Sequence, residues 1–156
     1  MQIDASEVRS ILNDLIETCK DGDEGFRSAA EKLKDSAIRS QFIQFSRQRA
    51  QFAGELQAEV TRMGGEPATS GSTTGAMHRG WIGLKSALTG DNDHSILEEA
   101  ERGEDAAVKN YRDALSKGLP GDIEAIVHRQ LREIQQTHNT VRTIRDRGQT
   151  MTGQPA

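Results

Sequence analysis

Residues 101–138 read ERGEDAAVKNYRDALSKGLPGDIEAIVHRQLREIQQTH, and this stretch decides the fold. It predicts two helices joined by a tight turn at Gly118-Leu119-Pro120-Gly121. Upstream, an inward stripe runs Leu97, Ala100, Glu104, Ala107, Val108, Tyr111 and Leu115. Downstream, the matching stripe is Ile123, Val127, Leu131, Ile134, His138, Val141 and either Ile144 or Arg145. Steps of three and four place each set on one helix face. Pro120 stands near the first turn of the second helix of the pair, where its missing N–H is tolerated. Two polar side chains, Glu104 and His138, fall on faces that should be buried.

The remainder reads as a second hairpin that covers those faces. Val8, Ile11, Leu12, Leu15, Ile16 and Cys19 form one stripe, continued by Phe26, Ala29, Ala30 and Leu33. Gly22 and Gly25 interrupt it and each lowers helix propensity by about 1 kcal/mol. The stripe keeps phase across them, so one helix is expected, with a kink possible. Its N-cap is Asp4 or Ser6. After Lys34-Asp35-Ser36 a second stripe runs Ile38, Phe42, Phe45, Arg49, Phe52, Leu56, Val60 and Met63. Arg49 must snorkel to solvent or pair with an inward carboxylate, because an isolated buried charge is very costly. Gly64-Gly65 ends this helix. EPATSGSTTG then reads as a mobile loop, and a short helix near Met77–Leu88 carries Trp81 as its anchor. Asp91 or Asp93 caps the next helix.

These patterns predict an all-α fold, an antiparallel four-helix bundle with helices near 5–33, 37–63, 94–117 and 121–147. Residues 1–147 form one domain, with a crossover over 64–93 and a patternless, disordered tail over 148–156. Phe42, Phe45, Phe52, Leu56, Leu97, Tyr111, Leu131 and Ile134 are expected in the core.

Composition narrows function by exclusion. The 156 residues are 34% hydrophobic and 28% charged, which suits long amphipathic helices with one solvated face. A net charge of −4 supplies no global attraction to nucleic acid or to anionic lipid. No apolar run approaches the roughly 18 residues of a membrane span. The first residues have no secretory pattern, so a cytoplasmic location is the expectation. A single cysteine, Cys19, excludes an intramolecular disulfide and a multi-cysteine zinc site. No phosphate-binding loop, nucleophile triad or zinc signature is present.

The two hairpins share a template. Cys19 precedes Phe26 by seven residues, as Glu104 precedes Tyr111. Arg49 and Phe52 stand three apart, as do Gln135 and His138. With the long central crossover, this spacing resembles the ferritin-like four-helix bundle. Such bundles place one Glu on each of two helices and a Glu-x-x-His pair on each of the other two. Here Glu104 and His138 stand at ligand positions, while Gln135 replaces a Glu. In the first hairpin Cys19, Arg49 and Phe52 replace Glu, Glu and His. The runs LNDLIETCKDGDEGFRSAAEKL, ERGEDAAVKNYRDAL and HRQLREIQQTHNTVRTIRD resemble a bacterial family of ferritin-like four-helix-bundle proteins, a domain of unknown function. The similarity covers about residues 5–147 and implies the fold without an activity.

Three placements of Glu104 and His138 are open at this level. They could complete a buried polar cluster with Arg49, Gln135 and Cys19. They could hold one metal ion, iron or manganese, with Cys19 or Glu101 assisting. They could also face solvent. No cofactor is the expectation, since one Glu and one His beside an Arg cannot balance two cations. Two functions follow. One is a structural, stress-related or interaction protein that has lost a di-iron site and meets a protein partner or a second copy. The other is a degenerate metal-binding protein or oxidoreductase using Glu104 and His138.

Overall fold

The computed structural model describes residues 3–69, 81, 83–90 and 92–153. Five helices are defined among them: α1 (Ala5–Lys32), α2 (Ser36–Arg62), α3 (Leu84–Thr89), α4 (Asp93–Leu115) and α5 (Gly121–Gly153). No strand occurs among the described residues. α1 packs on α2 and α4 packs on α5, while α1 also lies along α4 and α2 along α5. Every neighbouring pair is antiparallel. Arg9 reaches Met63 while Asp23 meets Ser46 between α1 and α2. Cys19 meets Tyr111 and Lys34 meets Asp93 between α1 and α4. Arg129 meets Glu55 and Thr137 meets Gln48 between α2 and α5. α2 and α4 therefore face each other across the bundle axis.

Local chemistry sets the helix ends. The Asp4 carboxylate accepts from the Glu7 N–H, and Asp35 accepts from Ala37 and Ile38. Each satisfies donors that a first helical turn leaves unpaired. α4 is capped by Asn92, whose side chain accepts from Ser95 N–H, in place of the expected Asp91 or Asp93. Asp93 is engaged elsewhere: its carboxylate accepts the backbone N–H groups of Lys34 and Asp35. It thus ties the α1–α2 connection to the start of α4. Gly64 closes α2 at φ +79°, with Gly65 N–H on Val60 O and Gly64 N–H on Thr61 O. That is a Schellman closure, and it needs the left-handed conformation that glycine adopts freely. Gly118, at φ +81°, takes the same left-handed conformation in the turn after α4.

α1 runs unbroken through Gly22 and Gly25. α5 continues to Gly153, beyond the expected end at 147, so the backbone over 148–153 is helical rather than a patternless tail. The apolar stripe ends at Ile144, but no proline interrupts the chain before Pro155, and a helix can outrun the face it packs. Residues 154–156 lie outside the described residues. So do 70–75 of the expected loop and most of the segment before α3, whose own span is Leu84–Thr89 rather than Met77–Leu88.

Seven of the eight expected core side chains are buried; Phe45 is half-buried at the rim of its aromatic group. Phe42 is fully buried, which leaves Ile43 as the exposed large apolar side chain of α2. Ile144, rather than Arg145, continues the α5 stripe. The core forms two clusters. One gathers Leu12, Leu15, Phe52, Leu56, Tyr111 and Ile134; the other gathers Phe26, Phe42, Trp81, Leu97 and Val141. A polar layer lies between them.

Phe52 is 2% exposed within the first cluster, so Phe52→Ala is expected to cost about 3–5 kcal/mol in urea unfolding. Phe45→Ala should cost clearly less, because its ring is already partly wet. Equal losses would place α2 in a different rotation.

Candidate functional site

The polar layer is built from side chains that continue apolar stripes. On α4, Ala100, Glu104, Ala107 and Tyr111 share one face, so the geometry that buries Tyr111 also buries Glu104. On α2 the same reasoning carries Arg49 inward between Phe42 and Phe52. Arg49 is 1% exposed and Glu104 0%. The guanidinium does not snorkel; it meets Glu104 bidentately, with Nη1 on Oε1 at 2.6 Å and Nη2 on Oε2 at 2.5 Å. The pair joins diagonally opposed helices through the middle of the bundle.

Two further residues make room for it. A Cβ at Gly22 would stand 3.2 Å from Arg49 Nη1 and 3.3 Å from its Cγ. Gly22 therefore lets α1 approach the guanidinium. The Phe26 ring offers its face to the cation, with Cζ 5.5 Å from the ring centroid. Such a contact is worth about 2 kcal/mol when desolvated. Arg49 Nε reaches Gln48 Oε1 at 3.4 Å. Burial by itself would lower the Arg49 pKa, but the Glu104 carboxylate outweighs it and the net direction is up. The guanidinium is thus a fixed charge.

Cys19 lies in an adjoining chain of hydrogen bonds. Tyr111 Oη donates to Gln130 Oε1 at 2.7 Å and stands 3.0 Å from Cys19 Sγ. The phenol has one proton, so the thiol is the donor to the phenol oxygen. Gln130 Nε2 then donates to Glu55 Oε1 at 3.1 Å, and Glu55 pairs with Arg129 at 2.5 Å. The chain leads from the core to the α2–α5 seam. Burial pushes the Cys19 thiol up to about 11. Burial and the neighbouring Cys19 raise Tyr111 well above its ordinary value. Both groups are neutral at physiological pH.

His138 and Gln135 do not join the pair. His138 Nε2 lies 2.5 Å from Asp105 Oδ1, and Nδ1 lies 3.5 Å from Asn139 Oδ1. Gln135 is half-buried and lines the same open groove between α4 and α5. His138 thus engages Asp105, one residue further round α4, in place of Glu104. Glu101 does not assist at the centre. It is held by Arg142 and Arg145. Among the described residues, no three His, Cys, Asp or Glu side chains are grouped to hold a metal ion.

Gln130, Glu99 and Asp105 escaped the sequence reading. Gln130 sits beside Leu131 on the broad stripe of α5, and a wider inward face would have found it. Glu99 is buried because it accepts the Gly83 N–H at 3.1 Å, a contact that depends on the crossover path. Asp105 carried no signal, being an exposed carboxylate whose only mark is its His138 partner.

Residues 7–117 match the model of the family described as Domain of unknown function (DUF2383), and the chain belongs to that family. The matched segment contains α1 to α4, hence Cys19, Gly22, Arg49, Glu104 and Tyr111. α5, with Gln130, Gln135 and His138, lies beyond it. No curated protein matches the chain.

The thiol gives a pH signature. Its raised pKa means that the folded chain holds a proton the unfolded chain releases, so stability falls as pH rises from about 9 toward about 11. The slope is at most roughly 1.4 kcal/mol per pH unit for this group, and Tyr111 adds to it at the alkaline end. Urea unfolding between pH 8 and 10.5 should show the fall, and Cys19→Ala should flatten it. A wild-type slope no steeper than that of the variant would contradict the buried thiol.

Proposed function

We propose that this protein is a non-catalytic helical bundle of ferritin-like descent, acting as a structural, stress-related or interaction protein. The observation that carries the reading is the bidentate Arg49–Glu104 pair on the bundle axis. In a ferritin-like bundle, carboxylates and histidines converge there on two cations. The residues of this chain do not fit that group. Glu104 has both oxygens on a guanidinium, Cys19 is a protonated thiol, Phe52 is apolar and His138 engages Asp105. A second positive charge beside Arg49 would be repelled rather than held. Guanidinium charge thus takes the role that metal charge has in the ferritin-like class.

The alternative, a metal-binding protein or oxidoreductase using Glu104 and His138 with iron or manganese, finds these two side chains committed to different partners. An interaction role suits the surface better. The long helices carry charged outer faces, and no helix among the described residues is long and apolar enough to cross a membrane. Ile43 is the exposed large apolar residue among them, so a protein partner or a second copy would meet a mainly polar face. The reading places the protein in the cytoplasm and away from nucleic acid, to which a net charge of −4 supplies no attraction.

Metal analysis of protein purified without a histidine tag or chelator tests the reading, with light scattering for oligomeric state. Iron and manganese should be far below one per chain, and His138→Ala should change neither value. Either metal near one per chain, lost on His138→Ala, would overturn it.

A further inference from the structure

Residues 36–54, SAIRSQFIQFSRQRAQFAG, hold three arginines and four glutamines without one acidic residue, in a chain whose 24 acids outnumber its 20 lysines and arginines. Steps of three and four put Ser40, Ile43, Gln44, Arg47, Gln51 and Gly54 on one face of α2, and all six are exposed. The acids that follow are already matched. Glu55 pairs with Arg129, and the buried Glu59 pairs with Arg62. Arg39 gives its guanidinium to Leu33 O. Arg47 makes no hydrogen bond or ion pair with any described residue. Ile43, the exposed large apolar side chain, stands four residues before it on the same face. A Cβ at Gly54 would meet nothing within 4 Å, so no contact among the described residues explains a glycine there. Glycine weakens a helix interior, but it lets another backbone come close.

We propose that this face of α2 docks an amphipathic helix of a protein partner, one that presents carboxylates to Arg47 and an apolar side chain to Ile43. The inference rests on the interaction role proposed above and gives it a surface and a partner chemistry. Charge complementarity selects the occupant. A second copy docked symmetrically through the same face would set arginine against arginine, with no acid on either side. The net charge of −4 opposes the approach of a nucleic acid, and Ile43 finds its match on a protein rather than on phosphates. Gln44 and Gln51 flank Arg47 and add amide donors for the same carboxylates. Gly54 lets the partner helix lie close at the far end of the face.

The test titrates the full, isotope-labelled chain with an alanine-based helical peptide that carries glutamate and leucine along one face. A lysine peptide of the same length is the control. Amide resonances of Ile43, Arg47, Gln51 and Gly54 should move, with a dissociation constant on the order of 100 µM at low salt and weaker binding as salt rises. Arg47→Glu should weaken binding about tenfold. Gly54→Leu should weaken it as much while Tm holds or rises, because the position is open in the free chain and leucine favours a helix. Shifts confined to other faces, equal binding of the lysine peptide, or full affinity in both variants would overturn the proposal. So would tighter binding of single-stranded DNA than of the peptide on this face. Absent peptide binding, with metal far below one per chain, would overturn this inference and leave the non-catalytic reading standing. Metal near one per chain with the peptide still bound would do the reverse.

Discussion

A guanidinium and a carboxylate buried on the axis of a helical bundle constrain everything around them. Removing two charges from water costs several kcal/mol each, and only close, bidentate geometry offsets that loss. Arg49 and Glu104 reach this geometry from opposite corners, so α2 and α4 must be level at that point. A slip of one helical turn moves a side chain by about 5.4 Å and would leave both charges unpaired. The pair therefore selects one register of the first hairpin against the second, a choice that apolar stripes alone leave loose. The surroundings follow from it. Gly22 opens α1 to the guanidinium, Phe26 faces the cation, and the two apolar clusters lie on either side.

The layer divides its neighbours by role. Cys19, Tyr111 and Gln130 form a neutral chain directed toward Glu55 at the α2–α5 seam. His138 and Asp105 form a separate contact at the α4–α5 groove. Neither supplies a second carboxylate to the axis. The Glu104 carboxylate on the axis is already matched by the fixed cation of Arg49. Its membership of the DUF2383 family rests on residues 7–117, which contain both partners of the pair. α5 then completes the enclosure from outside the matched segment.

Much of this was legible in the residues. Steps of three and four predict four long helices, Asp4 and Asp35 stand where caps are needed, and Gly64 marks a helix end. Arg49 in an apolar stripe already posed the choice between snorkelling and pairing, with Glu104 as a candidate partner. The failures came where rotation about a helix axis decides the partner. Glu104 and Asp105 are neighbours in sequence but about 100° apart around α4, and His138 meets the second of them. Gly25 read as a weak point of its helix because the ring that fills it comes from position 81. Phe45 shares the stripe of Phe42 and Phe52, yet lies at its edge. Such outcomes depend on packing between distant segments, which periodicity does not encode.

The most direct measurement is a double-mutant cycle in urea unfolding on Arg49→Met and Glu104→Gln. Arg49→Met alone leaves a buried carboxylate without its partner and should cost about 3–5 kcal/mol. Glu104→Gln alone should cost a comparable amount by stranding the guanidinium. The double variant should recover much of the loss, with a coupling of about 2 kcal/mol or more. Two small, additive effects would contradict the pair as the centre on which the bundle depends.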